Sequence, residues 1–139
     1  MFRRMIMIAS LCTLPAASFA ADTPSVAGAS VYIISPKNGD TISGPVRVQF
    51  GLKGMGIAPA GTAMEGTGHH HLVIDKTLPP LDAYLPPDDP QVRHFGKGQT
   101  EVELKLAPGT HTLQLVFGDQ DHKPHKPALV SEKVTITVK

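Results

Sequence analysis

Apolar and polar residues alternate with a period of two along five stretches of this chain. Val31 and Ile33 open the first, which closes at the turn-rich cluster Pro36-Lys37-Asn38-Gly39-Asp40. Val46, Val48, Phe50 and Leu52 alternate with Arg47, Gln49 and Gly51, and Val102, Leu104 and Leu106 alternate with Glu101, Glu103 and Lys105. Leu113, Leu115 and Phe117 follow in the same rhythm with Thr112, Gln114 and Val116. Val134, Ile136 and Val138 complete the set, alternating with Lys133, Thr135 and Thr137. A strand turns successive side chains to opposite faces, so this pattern predicts half-buried antiparallel strands. Thirteen prolines and thirteen glycines punctuate the chain, and no window of a dozen residues carries a helical stripe. Short strands separated by such turns predict two packed antiparallel sheets.

The segment LAPGTHTLQLVF (106–117) refines that expectation. It is similar to the strand–corner–strand passage of immunoglobulin-like modules, with His111 where a tyrosine often stands. The expected fold is an immunoglobulin-like antiparallel β-sandwich of about six to eight strands. Two long connections interrupt the pattern. Residues 53–68 are rich in Gly and Ala and hold Met55 and Met64; residues 76–99 are rich in Pro and Asp and run into RHFGKGQT (93–100). Connections of this length in a compact domain are usually either functional or disordered, and both lead to histidines.

The N-terminus reads as an address. Arg3 and Arg4 precede the mostly apolar run Met5–Ala17, and Ser18-Phe19-Ala20 ends on small residues, so residues 1–20 are expected to be a secretory signal peptide. Residues 21–29 read as a short mature linker, and 30–139 as a single domain. The expected location is periplasmic or secreted, with no membrane insertion after signal cleavage. Without Arg3 and Arg4, 11 basic side chains face 12 acidic ones and no basic run remains, so a nucleic-acid partner is not expected. The single cysteine, Cys12, lies inside the signal, which leaves no disulfide and no thiol chemistry.

The candidate chemistry is imidazole. All seven histidines follow the signal: His69, His70 and His71 in a row, then His94, His111, His122 and His125. Neutral imidazole is a good ligand for zinc and copper. In a strand, His69 and His71 share a face about 6.6–6.8 Å apart along the chain, while His70 faces the other way with Leu72 and Ile74. His122 and His125 lie in a proline-stiffened loop beside Asp119 and Asp121. The first choice of ligands is His69, His71, His94, His122 and His125, with His70 and His111 second. His111 shares the apolar face of Leu113, Leu115 and Phe117, where a structural role at the corner is the stronger reading.

Four blocks in order, GHHHLVID (68–75), RHFGKGQTEVEL (93–104), APGTHTLQLVFGDQDHKPHKP (107–127) and SEKVTITV (131–138), resemble the bacterial domain-of-unknown-function family 4399. The family pattern matches at all seven histidines. It departs at Lys97, where a glycine is expected, and at Gln120, where another histidine is expected. The resemblance implies an exported β-domain and no particular activity.

Taken together, the residues point to an exported domain binding copper or zinc as a carrier, buffer or accessory protein, with the metal ion and another periplasmic protein as partners. The alternative is a protein- or glycan-interaction module whose histidines are structural or pH-responsive. Neither a nucleophile elbow nor an HExxH helix is present, so nothing in the sequence specifies catalysis.

Overall fold

The structure, a computed structural model, describes residues 21–139. The expected signal peptide, residues 1–20, lies outside the described residues. The strands are β1 (Ser30–Ser35), β2 (Thr41–Ile42), β3 (Val46–Lys53), β4 (Gly56–Ile57), β5 (Thr67–Ile74), β6 (Val92–His94), β7 (Glu101–Leu104), β8 (Gly109–Gly118) and β9 (Val134–Val138). Six of them have four residues or more, and no helix occurs among the described residues.

Two sheets form. One runs β1-β3-β7; the other runs β2-β9-β8-β5-β4, with β6 also on β5. The longer pairings are antiparallel, and the two parallel ones, β2 on β9 and β4 on β5, involve two residues each. The core lies between the sheets and follows the alternation. Val31, Ile33, Val46, Val48 and Phe50 pack against Leu72, Ile74, Leu113, Leu115, Phe117 and Ile136. The chain is an immunoglobulin-like β-sandwich.

Strand β5 breaks the half-buried rule, because every residue from Gly68 to Ile74 is buried. Its inner face, His70, Leu72 and Ile74, enters the inter-sheet core. Its outer face is covered by the long connections. Val73, Val116, Val92 and Leu85 form a second small core, extended by Leu78, Leu81 and Val130. Residues 76–99 are therefore an ordered cover that includes β6. Leu85, 2% exposed, plugs this layer, a burial that stabilises by roughly 1.5–3 kcal/mol.

Within residues 21–29, Asp22 to Ser25 lie against the segment around Lys126. Ser25 N–H donates to the Lys126 carbonyl (2.9 Å), and Lys126 N–H donates to Thr23 (2.9 Å). Asp22 pairs with both Lys123 and Lys126 at 2.5 and 2.7 Å.

Candidate metal centre

Strand pairing brings three histidines together, and a loop adds the fourth. His69 and His71, two apart on β5, point to the outer face with ring centroids 4.7 Å apart. On one side of β5, His71 is the direct register partner of His94 on β6, which places both rings on the same face, 5.2 Å apart. On the other side, β8 ends at Gly118, the register partner of His69. The chain then turns back through Asp119–Lys123 and brings His122 over the outer face, its ring 5.0 Å from His69 and 4.6 Å from His94.

Glycines make room for these rings. A Cβ on Gly118 would stand 2.9 Å from Cε1 of His71, and one on Gly96 would collide with the His94 ring. This gives a physical role to the Phe-Gly steps at 95–96 and 117–118. The returning loop is closed by Asp119, a buried carboxylate. Its Oδ1 accepts from the N–H groups of Asp121 (2.9 Å) and Lys123 (3.0 Å), and its Oδ2 accepts from the Thr23 hydroxyl (2.6 Å). His122 adopts a left-handed backbone, φ +68°, which costs a residue with a Cβ of order 1 kcal/mol or more and persists because its neighbours hold it. Its carbonyl accepts from Leu85 N–H at 2.8 Å, linking the loop to the outer cover.

The electrostatics favour neutral imidazole. Burial, reinforced by the neighbouring imidazoles of His94 and His122, lowers the pKa of His69 to about 4. Burial and the same neighbours, together with His69, lower that of His71 to about 2. His94 is lowered by burial and by His122. Both ring nitrogens of His69 and Nδ1 of His71 are buried without a hydrogen-bond partner among protein atoms. An unpaired buried polar atom costs about 1–3 kcal/mol. One ring nitrogen from each of His69, His71 and His94 lies within 4.8 Å of the other two. Nε2 of His94 and Nε2 of His122 are 3.1 Å apart, a hydrogen bond between the two rings in which the tautomers decide the donor. The donor set therefore suits a transition-metal ion, with His69 and His71 as a buried floor and His94 at the exposed rim.

The other three histidines lie elsewhere. His70 enters the main core, its ring 5.1 Å from Phe50 and 5.2 Å from Phe117, with neither nitrogen partnered. Its pKa is lowered by burial to about 4; nothing in the structure gives its polar atoms a purpose. His125 stacks on Phe117 (5.6 Å, 19°), and its Nε2 lies 3.1 Å from the Thr67 carbonyl oxygen. It abuts Gly68, which shares the face of His70 and not that of His69. His111 bridges Asp75 Oδ2 and the Ala107 carbonyl, both at 2.7 Å, and the Asp75 carboxylate and that carbonyl raise its pKa. With both nitrogens engaged, it clamps the corner and has no lone pair free for an ion. Met55 packs against the main core, and Met64 is exposed.

A β-sandwich with four imidazoles gathered on the outer face of one sheet is the class these features define. The model of the family described as Domain of unknown function (DUF4399) matches residues 48–139, which span all seven histidines, and the chain belongs to that family. Among solved structures, the fibronectin(III)-like modules of CbhA from Clostridium thermocellum are similar at 16% identity and a TM-score of 0.48, over 78% of this chain and 95% of that one. No curated protein matches the chain.

Proposed function

We propose that this protein is an exported β-sandwich that binds copper or zinc through His69, His71, His94 and His122, and acts as a carrier, buffer or accessory protein. The observation that carries the reading is the convergence of ring nitrogens of His69, His71 and His94 within 4.8 Å of one another, with His69 and His71 buried and holding unpartnered nitrogens and the His122 ring packed alongside. Neutral imidazoles are ready ligands, since no proton has to leave before the metal enters. All-nitrogen ligation without thiolate suits Cu(II) or Zn(II). An interaction module with structural histidines has support at His111 and His125, but that reading has no use for the cluster of four.

The test is calorimetric titration of the metal-free protein with Cu(II) and Zn(II), alongside a peptide spanning residues 68–75. One-to-one binding far tighter than the peptide's, abolished in His69→Ala/His71→Ala, is expected. Affinity no better than the peptide's would end the metal reading and favour the interaction module.

A further inference from the structure

The His122 loop is held from outside the site by the N-terminal segment, and this contact has a consequence for the metal centre. Thr23 donates its hydroxyl to Asp119 Oδ2 at 2.6 Å. The other oxygen of that carboxylate holds the N–H groups on either side of His122, those of Asp121 and Lys123. The backbone closes the same loop, with Asp119 N–H donating to the Lys123 carbonyl (2.9 Å) and His122 N–H to the Asp119 carbonyl (3.1 Å). Asp22 clips Lys123 from the same segment, and the pairing of residues 23–25 with Lys126 anchors the strap along the loop's return. His122 is the one cluster member that belongs to no strand; His69, His71 and His94 stand on β5 and β6. Its left-handed backbone needs external support to persist.

We infer that Thr23 and Asp119 are positioning residues for His122, and that the N-terminal strap decides whether the metal centre presents four imidazole ligands or three with one position open. This rests on the metal-binding reading. With the strap docked, the site is closed and retentive. With the strap displaced, the three strand-borne histidines keep the ion and the vacated position accepts an incoming ligand, the arrangement needed to hand the metal to another protein or chelator. The strap thus couples an N-terminal segment to release of the ion, through one buried carboxylate.

The experiment uses Thr23→Val, Thr23→Ser, His122→Ala and the Thr23→Val/His122→Ala double variant, with Cu(II) as probe. Affinity is read by competition with a chelator, and ligation by electron paramagnetic resonance. Thr23→Val is expected to weaken Cu(II) binding by about tenfold, the loss of one hydrogen bond to a buried charge, and to shift the spectrum toward that of His122→Ala. Thr23→Ser restores both, and Thr23→Val has no further effect once His122 is absent. A wild-type spectrum and affinity in Thr23→Val overturns the inference, as does an equal weakening in the His122→Ala background. If the wild-type protein binds no copper, the metal-binding reading fails by itself. Positioning is then decided in the metal-free protein by amide exchange at Asp121 and Lys123 and by the His122 ring resonances. Change in Thr23→Val reversed in Thr23→Ser supports it, and no change overturns it.

Discussion

The two faces of β5 receive the same residue type and give it opposite fates. On the inner face, His70 stands between Phe50 and Phe117 in an apolar core, with no partner and no second imidazole to share an ion. On the outer face, His69 and His71 are just as buried, yet two more imidazoles reach them. Burial alone therefore does not make a ligand. The proposed ligation also needs neighbours of the same chemistry from other segments, and here β6 and the turn after β8 bring two more imidazoles alongside.

The largest expected effect separates the faces directly. His71→Phe should raise the Kd for Cu(II) or Zn(II) by at least about a hundredfold, because it removes a buried donor. His70→Phe should leave the Kd within about threefold of wild type. Equal losses in both variants, measured by the same titration, would mean that the faces are not functionally distinct.

Acid titration sharpens the comparison through stability. The pKa of His70 is lowered to about 4, so the unfolded chain binds more protons than the native one between pH 4 and 6.5. Stability of the metal-free protein is expected to be greatest above 6.5 and to fall as pH drops toward 4, with His70 contributing about 3 kcal/mol of that loss. His70→Leu should flatten the curve by that amount in denaturant melts, and a profile as steep as wild type would refute the assignment. His111 runs the other way. Its raised pKa gives a stabilisation present below 6.5 and lost as pH climbs through the raised value. Asp75→Asn should remove that contribution, which screening at this part-exposed site keeps below about 1 kcal/mol.

The smallest changes test the packing around the outer face. Gly96→Ala places a methyl against the His94 ring, and Gly118→Ala places one against the ring of His71. Each should weaken metal binding by about tenfold, since displacing a ligand by fractions of an ångström is costly, with little change in melting temperature for Gly96→Ala at the rim. Wild-type affinity in both variants would show that the rings have slack to move.

Much of this protein was legible without coordinates. The five alternating stretches predicted the strands and the inter-sheet core, because the period of a strand is a local property that burial imposes on every second residue. The same period placed His69 and His71 on one face and His70 on the other. A hydrogen-bonded His111 at the corner was likewise readable from its apolar neighbours and the preceding Pro-Gly. What stayed hidden was what covers β5: Leu85 and Val92 lie in a Pro- and Asp-rich stretch that reads as irregular, and a three-residue strand leaves too short a pattern to see. The fate of the two loop histidines was also unreadable. His122 and His125 are three residues apart with similar neighbours, yet the first turns to the cluster and the second to Phe117. The backbone pairing of Thr23 and Ser25 with Lys126 also leaves no mark in side-chain composition.

By itself the sequence determined a β-sandwich, its alternating core and a pair of histidines sharing one strand face, since each depends on neighbours along the chain. Tertiary structure alone decided which histidines meet. Register set His94 opposite His71, Gly118 ended β8 beside His69, and a loop held by Asp119 and the N-terminal strap brought in His122. A coordination site is a relation between distant segments, and only the packing of those segments fixes it.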